Sequence, residues 1–414
     1  SLELLVLLFC PHTSLGLANI IMMLRTKATC VNLFIFVNLS GKYSLYILSN
    51  NGPNITLFYY FCTSLIYSDM RKGVLVTGGT GYIGSHTVVE LLEAGYYVII
   101  VDNLSNSDES VIDGIEAITG IRPDFVKADC RNIETLEKLF EKGRFDSIIH
   151  FAAAKAVGES VEKPLEYYHN NILSLINIIS LMRRYNVPNL VFSSSCTVYG
   201  QPEVLPATEQ TPRLEAESPY GNTKRICEDI IRDSVKAYDS ISAIALRYFN
   251  PIGAHPSALI GELPRGIPNN LLPYVTQTAA GIREVLSIFG DDYNTPDGFC
   301  IRDYIDINDL AAAHVAALKR MICGKMKENF EVFNIGTGRG VSTMEIVKTF
   351  EKVNGLSLKY RITGRRAGDI EAMWADPSYA NEELGWYARK SLYETLRSAW
   401  KWQQRLCGVD ISDE

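Results

Sequence analysis

Two side chains placed four residues apart, Tyr220 and Lys224, could carry out proton transfer at a substrate hydroxyl. On a helix this spacing puts both on one face, so the lysine ammonium can approach the phenol oxygen. A free tyrosine has a pKa of about 10, and a neighbouring cation lowers it by stabilising the phenolate. Ser195, at the end of an apolar run, could hydrogen-bond the same hydroxyl. The three residues predict general acid–base catalysis, although Tyr–Lys pairs of this spacing also occur on ordinary amphipathic helices.

A glycine-rich segment, GGTGYIG over 78–84, predicts a dinucleotide site. It follows the apolar run VLVT and precedes HTVVELL, so its glycines lie at a strand-to-helix turn. There Gly78, Gly81 and Gly84 let the backbone and the helix N-terminus approach a pyrophosphate closely. Alone this is a weak signal, because tight packing of a strand against a helix also recruits glycines.

A second apolar strand, predicted over 97–101, ends in Asp102. This is where a dinucleotide-binding unit places the acid that accepts hydrogen bonds from the adenosine ribose hydroxyls. An acid there disfavours a 2′-phosphate, so we expect NAD rather than NADP, and the positive nicotinamide ring would help to stabilise the Tyr220 phenolate. The alternative is that Asp102, followed by Asn103, is a solvated turn residue.

Strand and helix patterns alternate along the rest of this half of the chain. Short apolar runs predict strands and longer periodic stretches predict helices. The predicted strands cover 124–128, 147–151, 190–194 and 242–247, and the predicted helices cover 133–140, 165–185 and 219–238. This order predicts an α/β fold with a doubly wound parallel sheet of the Rossmann type, whose ligands bind beyond the carboxyl ends of the strands.

The alternation loosens after Asn250, where five prolines follow in quick succession. We expect a smaller C-terminal substrate-binding lobe here, in which Ser342 and Glu345 cap a helix. The predicted domains are a NAD-binding Rossmann domain over 70–249 and a mainly substrate-binding lobe over 250–414, some segments of which return to the Rossmann domain.

Residues 1–69 form an atypical extension that we do not expect to belong to this fold. They contain only five charged residues, and no stretch reaches the roughly 18 unbroken apolar residues of a membrane-spanning helix. The first apolar cluster is similar to a signal h-region, but no basic residues precede it. The extension could be an organelle or membrane address, a lineage-specific disordered arm, or upstream sequence translated before a true start at Met70. We favour the last, because a complete dinucleotide-binding strand begins within four residues of Met70.

Composition excludes several classes of function. The formal net charge is -7 and no basic stripe is present, which argues against nucleic-acid binding. The nine cysteines show no paired CxxC spacing, and the six histidines form no HxxxH or HExxH pair, so we expect no metal site. Scattered cysteines suit a reducing compartment, and we expect a cytoplasmic protein without clear membrane association.

Several longer segments identify a family. Over essentially all of residues 70–414 the chain resembles the extended short-chain dehydrogenase/reductase superfamily, and within it the UDP-galactose 4-epimerase family. The resemblance rests on GGTGYIGSHT, VDNLSNS, HFAAAKAVGESV, KPLEYY, SSSCTVYG, SPYGNTK, LRYFNPIGAHPS and RDYIDINDLAAAH. Because several of these segments have no purely structural explanation, they are far more specific than the glycine turn.

The resemblance implies interconversion of UDP-galactose and UDP-glucose through a transient 4-keto sugar, with NAD held tightly and regenerated in each turnover. Tyr220 would take the proton of the C4 hydroxyl. Lys224 would lower the pKa of Tyr220 and hold the nicotinamide ribose, and Ser195 would orient the sugar hydroxyl. The family role of the helices over 165–185 and 225–238 further implies a homodimer.

Cofactor and substrate contacts carry over from the family residue by residue. Besides Gly78, Gly81, Gly84, Tyr220 and Lys224, the implied NAD contacts are Tyr82, Ile83, Asp102, Asn103, Asp129, Cys130, Phe151, Lys155, Asn170 and Tyr248. Besides Ser195, the implied substrate contacts are Phe249, Asn250, Asn270, Leu271, Phe289, Arg302, Tyr304, Arg366 and Asp369. Arg302 and Arg366 are expected on the diphosphate, since a guanidinium forms paired, charge-assisted hydrogen bonds to phosphate.

Two positions depart from the family pattern. Cys196 stands where the family usually has a small residue such as alanine, and we expect it to be tolerated. Met373 occupies a position where a tyrosine closes the space for an N-acetyl group beside the sugar and a cysteine or smaller residue opens it. Because methionine is flexible and intermediate in size, activity on UDP-N-acetylglucosamine is left open.

Three alternative functions are weighed against this one. A nucleotide-sugar dehydratase or decarboxylase typically has an acid where this chain has Thr197, so dehydration lacks its proton donor. An epimerase of UDP-xylose or UDP-glucuronate would use the same chemistry and differ only in its sugar contacts. A non-catalytic NAD-sensing protein would lack the base, which the presence of Tyr220, Lys224 and Ser195 disfavours.

Overall fold

The structure is a computed structural model that describes residues 72–409, apart from residues 144, 269, 367 and 368, and the backbone of four strands within residues 1–71. The chain separates into two compact units, Ser1–Arg71 and Lys72–Glu414. In the first unit an antiparallel sheet is formed by β1 (Leu2–Leu8), β2 (Ile20–Thr26), β3 (Val31–Val37) and β4 (Tyr43–Ser49), in that order. Each of the three interpretations of residues 1–69 stays a prediction.

Strands and helices alternate from residue 72 to residue 249. The strands are β5 (Gly73–Thr77), β6 (Tyr97–Asp102), β7 (Asp124–Lys127), β8 (Ser147–His150), β9 (Asn189–Ser195) and β10 (Ser242–Tyr248). The helices are α1 (Tyr82–Glu93), α2 (Val111–Thr119), α3 (Ile133–Lys142), α4 (Val157–Glu162), α5 (Pro164–Tyr185) and α6 (Pro219–Ala237). All the strands and helices predicted from the sequence in this half are present. Helices α2 and α4 were not predicted, because α2 carries Gly114 at its centre and α4 is too short to show a helical period.

Shorter strands and further helices follow from residue 250. The strands are β11 (Asn250–Ile252), β12 (Leu286–Phe289), β13 (Ile301–Arg302), β14 (Tyr304–Asp306), β15 (Phe330–Ile335), β16 (Val341–Ser342), β17 (Tyr360–Thr363) and β18 (Ala372–Met373). The helices are α7 (Leu271–Ala279), α8 (Ile307–Ile322), α9 (Thr343–Asn354), α10 (Ser378–Leu384) and α11 (Leu392–Leu406). The predicted cap of α9 is confirmed, since Ser342 Oγ accepts from the Glu345 N–H at 3.0 Å.

Seven parallel strands form the central sheet, in the order β15-β10-β9-β8-β5-β6-β7. From β5 the chain moves outwards to β6 and β7 and then crosses back to β8, so the strand order reverses between β5 and β8. This confirms the predicted doubly wound, Rossmann-type sheet. In such a sheet a crevice opens at the reversal, beyond the carboxyl ends of the strands.

Successive residues of the strands face opposite layers of helices. Val74 and Val76 of β5 belong to one buried apolar cluster, which includes residues of α1 and α8. Leu75, between them, belongs to a second cluster with residues of α3, α5 and α6. Because side chains alternate along a strand, the continuous apolar runs of the sequence supply both layers at once. The sheet that carries the site is therefore rigidly enclosed on both faces.

The smaller lobe has its own core. Apolar residues of α7, α9 and α11 enclose Leu286 and Ile288 of β12 in a third buried cluster. Three small sheets complete the lobe, with pairings β11-β14, β12-β17 and β16-β13-β18. Within the described part of the chain, no helix has both the length and the apolar character needed to cross a membrane.

Candidate active site

A cleft of about 1420 Å³ opens at the point where the strand order reverses. Residues that follow β5, β6, β7, β8 and β9 line one part of it, and residues from the smaller lobe line the rest. Every predicted NAD contact is a lining residue: Gly78, Gly81, Tyr82, Ile83, Gly84, Asp102, Asn103, Asp129, Cys130, Phe151, Lys155, Asn170, Tyr220, Lys224 and Tyr248. Of the predicted substrate contacts, the lining residues are Asn250, Asn270, Arg302, Arg366 and Asp369.

The glycine turn between β5 and α1 is packed so tightly that it has no room for side chains at Gly78 and Gly84. A Cβ on Gly84 would lie 2.2 Å from the carbonyl oxygen of Gly78, and a Cβ on Gly78, whose φ is +72°, would lie 2.8 Å from the backbone nitrogen of Ala152. Gly81 precedes the helix and offers no side chain to cap it. The first N–H groups of α1 therefore lie at the cleft, where they suit a pyrophosphate.

Asp102 is held by the glycine turn and by the loop that follows β6. Its Oδ2 accepts from the Thr80 N–H at 3.3 Å, and its Oδ1 accepts from the Leu104 N–H at 2.9 Å and from Ser107 Oγ at 3.2 Å. Ser107 Oγ also hydrogen-bonds Thr80 Oγ1 at 2.7 Å. The carboxylate is thus fixed in the cleft where an adenosine ribose would be recognised. Thr80 and Ser107 were not singled out from the sequence, although both lie within the quoted motifs.

The next acid along the sheet, Asp129, is fixed in a similar way. It forms a paired hydrogen bond with the Arg131 guanidinium, from Nε at 3.0 Å and from NH2 at 2.7 Å. Asn103 Nδ2 donates to the same carboxylate at 3.1 Å. The hydrogen bonds with Arg131 hold the pKa of Asp129 well below its usual value, so the group is ionised at neutral pH.

The proposed catalytic side chains converge at the start of α6. Lys224 is buried, and its Nζ donates to the Ser193 carbonyl oxygen at 2.7 Å. The same Nζ lies 5.9 Å from the centroid of the Tyr220 ring. Ser195 ends β9, hydrogen-bonds Tyr220, and accepts at its Oγ from the hydroxyl of Thr197 at 3.0 Å. Ser218 caps the helix by accepting from the Gly221 N–H at 3.1 Å. The capped helix thereby brings all three predicted residues to one place.

Burial dominates the pKa values of Tyr220 and Lys224 in the cofactor-free chain. Burial raises the pKa of Tyr220 to about 12, and the hydrogen bond with Ser195 opposes that rise only in part. Burial lowers the pKa of Lys224 to about 8. Protein groups alone therefore do not lower the pKa of the Tyr220 phenol towards neutrality, because desolvation outweighs them.

Arg302 and Arg366 reach the cleft from two different segments of the smaller lobe. Arg366 donates from NH2 to Asp369 Oδ1 at 2.7 Å, and its guanidinium carbon lies 5.8 Å from the centroid of the Phe289 ring. Arg302 donates to the carbonyl oxygen of its neighbour Ile301 at 2.8 Å. The exposed guanidinium of Arg366 retains donors for an anion, as a diphosphate contact requires.

Five predicted substrate contacts are not among the residues that line the cleft. Ser195, Phe249 and Tyr304 are buried, Phe289 lies under the Arg366 guanidinium, and Leu271 begins α7. Tyr304 pairs in register with Asn250, which does line the cleft. Tyr304 and Phe289 thus contact residues that line the cleft. Contact of all five residues with substrate stays a prediction.

Glu262 joins two predicted contacts that the sequence assigned to different ligands. Its Oε1 accepts from Asn270 Nδ2 at 2.6 Å and from Lys155 Nζ at 3.4 Å. The carbonyl oxygen of Glu262 accepts from Trp402 Nε1 at 2.9 Å, which anchors the segment to α11. No sequence signal pointed to Glu262, because it is an isolated acid in a proline-containing loop.

Met373 and Cys196 both line the cleft. Met373 is only 1% exposed and packs in a small cluster with Phe249, Tyr199 and Ala375. Strand β18 places it in register with Arg302. A change in size at Met373 would therefore alter the cleft beside a predicted diphosphate contact.

These features fit NAD. The turn is too close-packed for side chains at Gly78 and Gly84, the N-terminus of α1 is uncapped, and the fixed carboxylate of Asp102 lies at the neighbouring strand end. Among the described residues there is no cluster of three or more His, Cys, Asp or Glu side chains suited to a metal ion.

Comparisons with known proteins agree with this geometry. A family model described as GDP-mannose 4,6 dehydratase matches residues 75–399. A UDP-glucose 4-epimerase from Dictyostelium discoideum is 51% identical over 80% of this chain and 95% of that protein.

Two solved structures give the same result. The UDP-glucose 4-epimerase of Bifidobacterium longum, in complex with NAD+ and UDP, is 46% identical with a TM-score of 0.78 over 81% of this chain and 98% of that chain. The UDP-glucose-4-epimerase of Stenotrophomonas maltophila, with bound NAD and formylated UDP-arabinopyranose, is 45% identical with a TM-score of 0.79 over 82% of this chain and 99% of that chain. The agreement in sequence, fold and cleft shows that this chain belongs to the UDP-glucose 4-epimerase family.

Proposed function

We propose that the chain interconverts UDP-galactose and UDP-glucose by epimerisation at C4 of the sugar, with NAD as its resident cofactor. The observation that carries the proposal is that one cleft contains Tyr220, Lys224 and the glycine turn together with Arg302 and Arg366. A proton-transfer group, a dinucleotide cradle and two guanidiniums for a diphosphate are the parts that this reaction needs.

The glycine turn of Gly78 and Gly84 and the carboxylate of Asp102 would hold NAD, which would supply reversible hydride transfer at C4 with no net oxidation of the sugar. Tyr220 takes the proton of the C4 hydroxyl at its phenol oxygen and gives it back, with Ser195 as its hydrogen-bond partner. Lys224, tethered to the Ser193 carbonyl, holds a donor beside the tyrosine. Arg302 and Arg366 hold the diphosphate, so the 4-keto sugar can turn without leaving the cleft.

Dehydration is the closest alternative, since the matching family model carries a dehydratase description. The structure disfavours it at Thr197, which stands where those enzymes typically have an acid. The Thr197 hydroxyl donates to Ser195 Oγ at 3.0 Å and supplies no carboxyl group. A second alternative is epimerisation of another UDP-sugar, including the N-acetylated form, which the buried Met373 leaves open.

Three further properties are part of the proposal. The protein is a cytoplasmic homodimer that pairs through α5 and α6. Ile176 on α5 supports this pairing, because its apolar side chain is 41% exposed. A monomeric mass in sedimentation would contradict the dimer.

Residues 70–249 form the NAD-binding domain. Residues 250–414 form mainly the substrate lobe, with β15 and α8 returning to the NAD-binding domain.

The test uses the full chain and the fragment 70–414 in parallel, each incubated with UDP-galactose without added cofactor while UDP-glucose is followed by NMR. Conversion is expected in both. Tyr220→Phe should retain NAD but lose turnover by roughly 100-fold or more, since it removes the general base. Unchanged turnover would refute the role of Tyr220. Bound NAD without conversion of any UDP-sugar would favour the NAD-sensing alternative.

A further inference from the structure

Two consecutive arginines follow β17, and they have different partners. Arg366 lines the cleft and pairs with Asp369. Arg365 is not among the lining residues and pairs with Asp292, which follows β12. Because the two residues are adjacent in the chain, contacts that fix Arg365 also restrict where the backbone of Arg366 can lie.

Arg365 makes three contacts with one short segment. Its Nε donates to Asp292 Oδ1 at 2.7 Å, and its NH2 donates to the Asp292 carbonyl oxygen. Its guanidinium carbon lies 4.2 Å from the centroid of the Tyr293 ring. The Tyr293 ring is only 5% exposed, so the arginine is held between a fixed aromatic face and a carboxylate.

The backbone around Arg365 is also fixed. Strands β12 and β17 are parallel, with Phe289 opposite Thr363, and the Gly290 N–H donates to the Thr363 carbonyl oxygen at 2.8 Å. Gly290 has a φ of +74°, and a Cβ there would lie 2.5 Å from Tyr293 Cε2 and 3.0 Å from Arg365 Cγ. The turn after β12 thus requires glycine if Tyr293 and Arg365 are to pack together.

We propose that Arg365 is a positioning residue for nucleotide binding: by clamping the segment after β17 to Asp292 and Tyr293, it sets the place of Arg366 and Asp369 in the cleft. The inference rests on the proposed function, in which Arg366 contacts the diphosphate of a UDP-sugar. Phe289 belongs to the same arrangement, because it ends β12 and lies under the Arg366 guanidinium.

Removal of this clamp should leave the fold intact. Both members of the Arg365–Asp292 pair are substantially exposed, and exposed ion pairs contribute little to stability. The chain also offers a matched control on the same strand. Arg361 of β17 is exposed and donates from Nε to Ser287 Oγ at 3.3 Å, away from the lining residues.

The test measures the Kd of UDP by calorimetry, and KM and kcat for UDP-galactose, on NAD-bound Arg365→Ala and Arg361→Ala. For Arg365→Ala we expect Kd and KM to rise about tenfold and kcat to stay within about twofold, because a slightly displaced clamping group weakens binding. Arg361→Ala should match the wild type. An unchanged Kd for Arg365→Ala, an equal loss in Arg361→Ala, or a fall in kcat alone would overturn the proposal.

A second pair of variants examines the aromatic face. Tyr293→Leu should weaken UDP binding as Arg365→Ala does, and Tyr293→Phe should restore it, since the hydroxyl has no hydrogen-bond partner among the described residues. Equal affinities of the two variants would count against the stacking contact. If the wild type binds UDP but leaves UDP-galactose unchanged, the proposed function fails while the UDP affinities still decide the role of Arg365.

Discussion

Glu228 and Arg247 form a buried, bidentate salt bridge, in which Glu228 lies on the same helix as Tyr220 and Lys224. Arg247 donates from Nε to Glu228 Oε1 at 2.8 Å and from NH2 to Oε2 at 2.6 Å. Ser194 Oγ donates to the same carboxylate at 2.6 Å. Since Glu228 lies on α6, Ser194 on β9 and Arg247 on β10, one carboxylate joins the helix of Tyr220 and Lys224 to two strand ends at the cleft.

Arg247→Met should lower the free energy of unfolding by about 3 kcal/mol, because it leaves the buried Glu228 carboxylate with only the Ser194 hydroxyl and a longer contact of 3.4 Å from Arg213. Urea denaturation measures the change. The control is Arg122→Met, which removes an exposed pair with Asp113 and Glu116 and should have little effect. Equal losses in the two variants would show that burial of the pair is unimportant.

Stability should depend on pH through Lys224. Its pKa is about 8 in the folded chain against an ordinary value of 10.5, so between these values the unfolded chain binds the extra proton and stability rises with pH. Relative to Lys224→Met, cofactor-free wild type should gain about 2 kcal/mol from pH 7 to pH 10. Urea denaturation at both pH values tests this, with Lys142→Met, at an exposed lysine of α3, as the control. If the difference in the free energy of unfolding between the wild type and Lys224→Met does not change with pH, Lys224 is not desolvated.

Substitution of Met373 should change which sugars are accepted. Met373→Cys removes volume beside the cleft and should raise kcat/KM for UDP-N-acetylglucosamine relative to UDP-galactose. Met373→Tyr should lower the same ratio, because the larger ring fills the space. Competition between the two substrates in one NMR experiment gives the ratio directly. A ratio that moves in the same direction in both variants would refute a purely steric role.

Gly84→Ala should prevent tight retention of NAD. The added Cβ would lie 2.2 Å from the Gly78 carbonyl oxygen and 2.8 Å from the Gly79 Cα, so the turn must open. The NAD content of the purified protein is measured after denaturation. The matched control is Gly364→Ala, outside the lining residues of the cleft, where a Cβ meets no atom within 4 Å, and it should leave the NAD content unchanged.

The strands next to the glycine turn were predictable because their signals are local. Runs such as VLVT and YVIIV are long enough to indicate buried strands, and both are present as β5 and β6. Strand β15 was not predicted, because its pairing with β10 joins Ala243 to Phe330 and so depends on residues far apart in sequence. Local periodicity does not contain that information.

In the site, too, some residues could be predicted from the local sequence and others only from the fold. Tyr220, Lys224 and Asp102 could be proposed from spacing and from their place after a strand or on a helix. The roles of Glu228 and Arg365 could not, since each depends on partners from other elements, Arg247 and Asp292, that only the fold brings close. The substrate contacts came from family resemblance, and part of that set is buried rather than at the cleft surface.

The late return of the chain to the central sheet has a consequence for biosynthesis. Strand β10 ends at Tyr248, but its neighbour β15 ends only at Ile335. While the ribosome adds the residues between them, the nascent chain carries β10 as an open edge, with the apolar surface that α8 later covers exposed to solvent. Arrest of translation in this interval would leave a sheet prone to self-association, because the seven-stranded sheet is completed only after β11 to β14, α7 and α8 have been made.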